Sequence, residues 1–204
     1  MIKNLVTSVL LLSCTLVYAQ TNKLQFQYIP AYSFTLEPSV TVDTYPSKTT
    51  EYSPLLTHSF IAKFMKQREN GNYFSYGLGL YTFGEEVSYS ESPSTFFSGR
   101  TDQIRGTYIV VPLEYTLDFN KLEYFIGVLS GYRISQTRVV GDGPTDRYNN
   151  EPFFRQVNFI VGTGINYIFE LSQSFGFVTG LRVDYIALDR HLNLGLNLGL
   201  EMNL

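Results

Sequence analysis

The sequence is poor in the residues that active sites and soluble surfaces most often use. It has one cysteine, two histidines and no tryptophan in 204 residues, and only 16% of its residues are charged. Soluble domains carry about 25% charged residues. No stretch beyond the first twenty residues or so is long and apolar enough for a membrane helix, which needs about 20 residues. The formal net charge of −3 gives no reason to expect nucleic acid as a partner.

The single cysteine, Cys14, lies in an N-terminal segment with the pattern of a secretory signal peptide. A lysine precedes a mostly apolar run from Leu5 to Val17, and Ala19 supplies the small residue before a cut. We expect cleavage after Ala19, which makes 1–19 the signal peptide and 20–204 one domain. Lipidation at Cys14 is the alternative. With cleavage after Ala19, the remaining chain has no thiol or disulfide chemistry.

The clearest pattern is an unbroken alternation over the last thirteen residues, Leu192 to Leu204. Leucine or methionine stands at every even position, and asparagine, glycine or glutamate stands at every odd one. A period of two is typical of a β-strand with one apolar and one polar face. At about 3.3 Å per residue this strand spans roughly 43 Å, which suits a tilted crossing of a bilayer. The pattern therefore indicates the closing strand of a transmembrane β-barrel.

Seven further segments show the same alternation less regularly, which brings the strand count to eight. The sequence therefore predicts an all-β fold, an eight-stranded antiparallel up-and-down transmembrane β-barrel. Pro112 lies inside the fourth segment, where we expect a local bulge because proline cannot donate to the ladder. The seven segments are Lys23–Leu36, Leu55–Lys66, Tyr73–Gly84, Gly106–Leu117, Leu122–Ile134, Gln156–Phe169 and Phe175–Ile186.

The connections between these strands alternate in length. Bacterial outer-membrane barrels have short periplasmic turns and longer outside loops. The alternation therefore predicts a barrel in the cell outer membrane with both termini in the periplasm. The long polar connections are Leu36–Pro54, Glu85–Arg105 and Ser135–Arg155, and the short ones are Gln67–Asn72, Asp118–Lys121, Glu170–Ser174 and Ala187–His191.

Glycines indicate which way the apolar stripes face. An eight-stranded barrel has room inside only for side chains, so small residues suit its lumen. A water-facing surface, as on a lipocalin whose apolar face lines the interior, would carry more Lys, Glu and Thr. The glycines favour apolar stripes that face lipid and a lumen filled by side chains. Those opposite the apolar stripes are Gly77, Gly79, Gly127, Gly131, Gly162, Gly164, Gly176, Gly180, Gly195 and Gly199.

Two segments resemble a known family. Tyr108–Tyr115 (YIVVPLEY) and Tyr124–Tyr132 (YFIGVLSGY), together with the signal peptide and the eight strands, are similar to the PorT-like outer membrane β-barrel proteins of the Bacteroidetes, which are Gram-negative. The resemblance extends over most of the chain after residue 19. It implies an outer-membrane barrel of unassigned function and supplies no catalytic residue. This chain departs from many outer-membrane barrels in ending on Leu204 rather than on an aromatic residue.

Charged residues on the lumen-facing parity are the candidates for a functional site or a structural network inside the barrel. Buried charges must be paired and hydrogen-bonded, because their desolvation is otherwise prohibitive. We therefore expect a structural network of ion pairs that closes the lumen, with Arg182 and Asp184 mid-barrel and Arg133 nearer the outer end. A gate or a proton path is the functional alternative. The six residues are Lys63, Glu114, Arg133, Arg182, Asp184 and Glu201.

The two histidines raise an enzyme hypothesis. Small outer-membrane barrels that modify lipid A use a histidine beside a serine or an acid near the outer leaflet. His58 is next to Ser59, and His191 follows Asp189. Neighbours in a regular strand point to opposite faces, so His58 cannot activate Ser59. We expect no catalytic residues and no cofactor. We also expect no metal, since Gly141–Asp146 lacks the spacing of a calcium loop and is better explained as a turn.

The sequence thus predicts a small non-enzymatic outer-membrane barrel with a structural or interaction role through its outer loops. Outer-membrane lipid and lipopolysaccharide are its expected surroundings, and we expect a monomer. A lipid A-modifying enzyme and an accessory barrel of a protein secretion system remain open as alternatives. Aromatic residues that could anchor a protein or surface ligand on the outer loops are Tyr45, Tyr52, Phe96, Phe97 and Tyr148.

Overall fold

The computed structural model describes residues 22–36, 50–89, 101–140, 145–146 and 153–204. The predicted signal peptide, the Cys14 alternative and most of the Gly141–Asp146 turn lie outside these ranges. So do Tyr45, Phe96, Phe97 and Tyr148 of the long connections. Over the described part of the chain, no helix is long and apolar enough to span a membrane.

Ten strands occur in the described residues, eight of them long. The eight correspond to the eight predicted segments, and two short strands, β2 and β7, are additional. Their bounds are β1 Asn22–Thr35, β2 Thr50–Ser53, β3 Leu55–Gln67, β4 Tyr73–Tyr89, β5 Thr101–Phe119, β6 Leu122–Val140, β7 Thr145–Asp146, β8 Val157–Glu170, β9 Phe175–Ile186 and β10 His191–Asn203.

The eight long strands close into a ring of antiparallel neighbours. The order is β4-β3-β1-β10-β9-β8-β6-β5, and pairing of β4 with β5 completes it. The first strand lies between β3 and β10, so that Lys23 is aligned with Met65 on one side and with Asn203 on the other. The predicted eight-stranded antiparallel barrel is confirmed.

The two ends of the barrel differ, and we name them by their connections. At the turn end, residues 68–72, 120–121 and 171–174 join the strands in short turns. Gly71 and Asn120 have positive φ angles of 85° and 69° there, a conformation that favours glycine and asparagine. The strand ends joined by the long connections, and the turn of residues 187–190, lie at the opposite end, which we call the loop end.

The bulge predicted at Pro112 is wrong. Pro112 lies in regular register opposite Leu129 on β6. On its β4 side the ladder omits two pairs, yet the register is the same before and after the gap. The proline thus removes backbone bonds without inserting a residue, because it lacks only the N–H. The register shift lies instead between Thr107 and Tyr108, opposite the segment Arg133–Ser135.

Strands β4, β5 and β6 run further toward the loop end than predicted. Residues 85–88 pair with residues 101–104, although both segments fall in the predicted connection Glu85–Arg105. Part of Ser135–Arg155 is likewise strand, because β6 continues to Val140. These extensions, with β2 paired to β4 on one edge, form what we call the projecting sheet. On its inner face the apolar Val87 and Ile104 are buried beside the carboxylates of Glu85 and Asp102, and Arg138 pairs with Asp102. Its outer face carries Glu86 and Gln103.

The outside of the barrel between the two ends is apolar and exposed. Leu78, Leu181 and Leu200 are 59%, 60% and 54% exposed, and every long strand contributes similar residues. A water-soluble monomer rarely exposes a continuous apolar surface of this extent. An outward-facing apolar band is the surface that a transmembrane barrel presents to lipid.

Candidate functional site

Four buried charges form a compact network in the lumen, which we call the central cluster. Glu114 on β5 accepts hydrogen bonds from Lys63 Nζ at 2.7 Å and from Arg182 Nη1 at 2.8 Å. Arg182 Nε also lies 2.8 Å from the Asp184 carboxylate. All four side chains are at most 2% exposed. Two positive and two negative charges therefore neutralise one another away from bulk solvent.

Glycines on neighbouring strands make room for this cluster. A Cβ at Gly162 would lie 2.3 Å from Asp184 Oδ1 and 2.7 Å from Arg182 Nη2. At Gly164 it would lie 2.6 Å from Cζ of Phe125, whose ring stands under the Arg182 guanidinium at 5.1 Å. Gly162 and Gly164 thus leave space in the lumen that a larger neighbouring side chain fills.

The central cluster continues toward the loop end through neutral groups. Tyr81 donates its hydroxyl hydrogen to Asp184 at 2.8 Å, and Asn193 Nδ2 donates to the Tyr81 oxygen at 2.9 Å. Both side chains are buried. They hold the Asp184 carboxylate in place on the side away from Arg182, and they mark the border between charged and apolar parts of the lumen.

A second ionic group, the turn-end cluster, is centred on Lys23. Its ammonium lies 3.1 Å from Glu123, 3.0 Å from Glu201 and 3.9 Å from Asp118. It also stands 4.6 Å from the centre of the Tyr73 ring. A polar cavity of about 280 Å³, lined by Lys23, Tyr73, Asp118 and Glu201 among others, opens beside it. Three carboxylates around one ammonium leave this end of the lumen with excess negative charge.

The six residues singled out from the sequence therefore do not form one network. Lys63, Glu114, Arg182 and Asp184 meet in the central cluster, whereas Glu201 belongs to the turn-end cluster with Lys23. Sequence reasoning missed Lys23 and Glu123. Both stand on the lumen-facing parity of their strands, so the rule that selected the other six would also have selected these two.

Arg133, the sixth residue, takes part in neither ionic group. It is half-buried, and its Nη1 donates to the backbone oxygen of Phe154 and, at 2.8 Å, to Gln136 Oε1. Its Nη2 lies 3.3 Å from Gln156 Oε1. Within the described residues, the Arg133 guanidinium thus contacts the segment 153–156 and Gln136 over the loop end of the lumen.

The loop-end half of the lumen is filled mainly by apolar side chains, which pack beside the buried polar groups of Glu85, Asp102 and His191. The ring of Phe83 lies 5.1 Å from that of Tyr108 and 5.0 Å from that of Phe154. Small residues and a network of paired charges were expected to fill the lumen, and the packed apolar side chains of this half were not predicted. The buried apolar cluster comprises Ile29, Ala31, Ile61, Tyr81, Phe83, Val87, Ile104, Tyr108, Val110, Leu129, Phe154, Ile160 and Ile186.

The two histidines lie in unrelated places. His58 is exposed on the outer face, where its Nδ1 is 2.6 Å from the Tyr28 hydroxyl and the two rings stack at 5.8 Å. Ser59 points into the lumen and accepts a hydrogen bond from Thr82 N. The two side chains therefore face opposite sides of the wall, in agreement with the strand periodicity.

His191 is fully buried beneath Phe154 at the loop end. Its Nδ1 is 2.7 Å from the backbone oxygen of Asp189, and its Nε2 is 3.3 Å from Thr35 Oγ1 and 3.6 Å from Glu85 Oε2. The Asp189 carboxylate accepts hydrogen bonds from the Arg155 N–H at 3.2 Å and from Asn158 Nδ2 at 2.7 Å. Burial raises the pKa of Asp189 above its ordinary value. Among the described residues, no group of three or more His, Cys, Asp or Glu side chains is arranged to hold a metal ion.

A scan of protein-family models finds no match for this chain. A search of curated proteins finds no match either. Solved structures similar to it include Neisserial surface protein A, with 12% identity, 90% of this chain and 97% of that chain covered, and a TM-score of 0.46. OprG of Pseudomonas aeruginosa has 9% identity, coverage of 89% and 95%, and a TM-score of 0.48.

Ail, the attachment invasion locus protein of Yersinia pestis, solved with the heparin analogue sucrose octasulfate, has 13% identity to this chain. The match covers 99% of Ail and 90% of this chain, with a TM-score of 0.41. Likeness at this level says nothing of activity or ligand.

Proposed function

We propose that this protein is a small non-enzymatic outer-membrane barrel with a closed lumen, whose role is structural or interactive and is exerted at the loop end. The observation that supports it best is that side chains of the described residues fill the lumen on the loop-end side of the cavity beside Lys23. Ion clusters occupy the turn-end half, and packed rings occupy the loop-end half. A solute crossing the barrel would have to break both layers. Function is then left to the surfaces outside the lumen.

The projecting sheet is the surface that suits an interaction role. It extends the wall past the apolar band, and its outer face is polar, with Gln103 donating to Glu86 at 2.8 Å and Arg105 donating to Gln103 at 3.2 Å. Such a surface belongs in water rather than in lipid. A protein or surface ligand would meet it first, since the long connections leave the barrel at this end.

The proposal includes an orientation and a family. The turn end would face the periplasm with both termini, and the loop end would face outward, after removal of residues 1–19 as a signal peptide. Outer-membrane lipid and lipopolysaccharide would cover the apolar band of a monomer. Membership of the PorT-like proteins is supported by the Tyr108–Tyr115 and Tyr124–Tyr132 segments.

Planar-bilayer recording tests the closed lumen. The intact protein should give no steady ion current, because an eight-stranded interior is just wide enough for its side chains. Unheated protein in detergent should also migrate faster on a gel than boiled protein, which shows that the inserted species is the closed barrel. Uniform channels whose conductance changes in Glu114 or Arg182 variants would reject the proposal and make the lumen the functional site.

A further inference from the structure

The segment 153–156, which we call the latch, crosses the loop end of the barrel and is held mainly by side chains. Gln136 Oε1 accepts hydrogen bonds from the backbone N–H groups of Phe153 and Phe154, at 3.1 and 3.2 Å. The Asp189 carboxylate accepts the N–H of Arg155 at 3.2 Å. Tyr108 donates its hydroxyl hydrogen to the Arg155 oxygen at 2.7 Å. The backbone of the latch therefore finds most of its partners in side chains, and its Gln156 oxygen accepts the backbone N–H of Arg133 at 2.8 Å.

One ring of the latch enters the barrel. Phe154 is 1% exposed and packs against Phe83 at 5.0 Å and, edge-on, against His191 at 5.5 Å. Gly106 provides its cradle, since a Cβ there would lie 2.8 Å from Phe154 Cδ2. Beneath the ring lies a polar trio formed by the buried Glu85 and His191 and the partly buried Thr35. Thr35 Oγ1 donates to Glu85 at 3.1 Å and lies 3.3 Å from His191 Nε2.

The irregularity in the wall directs the holding groups toward the latch. The register shift opposite Thr107 and Tyr108 leaves Ile134 out of the pairing on β6. Arg133 and Gln136 are three residues apart, which would put them on opposite faces of a regular strand. With the shift, both reach the latch. A bulge that redirects side chains in this way is commonly a designed feature of a sheet.

We propose that the latch is a releasable seal, which opens and closes the loop end of the lumen while the barrel stays folded. Most of its hydrogen bonds run between side chains and backbone, and the backbone bond from the Arg133 N–H to the Gln156 oxygen lies outside the paired residues. Rotation of Arg133, Gln136 and Asp189, with loss of that one backbone bond, therefore frees the latch without breaking a strand pair. Ordering these residues has an entropic cost that opposes closure. Segments held in this manner open locally at much lower free energy than the whole fold. Opening would give solvent access to the Thr35–Glu85–His191 trio from the loop end alone.

Two reporter cysteines can test this in the full chain with Cys14 changed to serine. Ser33 is buried in the loop-end half, where its Oγ accepts the N–H of Gly84 at 3.2 Å. Ser75 is buried in the turn-end half, where its Oγ donates to the backbone oxygen of Glu114 at 3.2 Å. Ser33→Cys and Ser75→Cys are nearly isosteric changes. The rate of reaction with a small hydrophilic methanethiosulfonate is measured on folded barrel, identified by its migration in an unheated gel.

Gln136→Leu is the decisive variant, because it removes two latch bonds and leaves the Phe154 ring in place. It should speed modification of the cysteine at 33 by about tenfold, as expected when local opening loses roughly one net hydrogen bond. Phe154→Ala should speed it further. The cysteine at 75 should react at an unchanged rate in both. Phe159→Ala, on the lipid-facing side of β8, is the matched control and should alter neither rate.

Two results would overturn the proposal. An unchanged rate at position 33 in the Gln136→Leu protein would show that the ring is a fixed plug that does not depend on the latch. Equal acceleration at 33 and 75 would show that the substitution loosens the whole barrel. Either result leaves the proposed closed lumen untouched, because current across the bilayer is measured separately.

Discussion

The two halves of the lumen are enclosed by the same eight strands but are filled in opposite ways. The turn-end half contains Lys63, Glu114 and Arg182 in direct ionic contact. The loop-end half contains Phe83 and Phe154 in ring contact. A buried charge needs an oppositely charged partner at a defined distance and angle, whereas a buried apolar side chain needs only a space of matching volume. The difference teaches that one barrel wall supports two kinds of interior, which should respond to substitution very differently.

Loss of the shared carboxylate in the turn-end half should have the largest effect. Glu114→Ala leaves Lys63 and Arg182 buried with one acid fewer, and removal of one partner from a buried ion pair costs about 3–5 kcal/mol. The free energy of unfolding from a urea titration in lipid vesicles measures it. Glu114→Gln, which preserves volume, is the control and should remain strongly destabilising. A cost for Glu114→Ala below about 1 kcal/mol, the size of a neutral hydrogen bond, would mean that water solvates these charges in the folded barrel.

The outer face extends the comparison to a third environment. Leu196→Arg places a cation on the apolar band of β10, where the cost is about 2–4 kcal/mol near the bilayer midplane. The neighbouring Asn197→Ser changes a lumen residue and loses the hydrogen bond from Asn197 Nδ2 to Asn166, which is 2.8 Å long. Its cost should be about 1 kcal/mol. Equal costs for the two variants in the same urea titration would contradict the assignment of faces.

A conservative truncation tests the loop-end half. Ile160 is buried in the apolar cluster. Ile160→Val removes one methyl group, and such changes typically cost about 0.5–1.5 kcal/mol. The same titration applies, with Ile165→Val on the lipid-facing side of β8 as the control that should be nearly neutral. A cost for Ile160→Val as large as that of Glu114→Ala would erase the proposed difference between the halves.

The smallest expected effect is a dependence on pH at the latch. Burial raises the pKa of Asp189 above its ordinary 3.8, so the folded protein binds this proton more tightly than the unfolded chain does. Between the two pKa values the free energy of unfolding must therefore fall as pH rises. Asp189→Asn keeps an oxygen acceptor for the Arg155 N–H and removes the titration. The wild-type protein should show this slope relative to the variant from acid toward neutral pH, and an opposite slope would contradict the assignment.

The sequence was informative wherever the outside of the barrel meets lipid. Alternation located all eight strands, and for β9 both ends agree with the observed Phe175–Ile186. It failed above the apolar band for a physical reason. In the projecting sheet the outer face is wet, and the apolar residues Val87 and Ile104 are on the inner face. The apolar stripe therefore changes sides, and a search for one stripe ends the strand too early.

Periodicity also could not find the groups that lie outside strands. Phe154 belongs to an irregular segment, so no repeat in the sequence marks it as a core residue. The central cluster was within reach because its members share the lumen-facing parity. The sequence could not predict which acid pairs with which base, because strand register and tilt decide whether Arg182 meets Glu114 or Glu201.

The lumen glycines have a consequence for the evolution of this chain. Gly162 gives its space to Arg182 and Asp184, and Gly127 gives its space to Glu114, whose Cγ would lie 2.5 Å from a Cβ at that position. A side chain gained at position 162 or 127 would force the loss of a charged partner. That loss would leave the remaining charges unbalanced. We therefore expect these positions to covary with 182 and 114 among related sequences, as coupled exchanges of volume and charge.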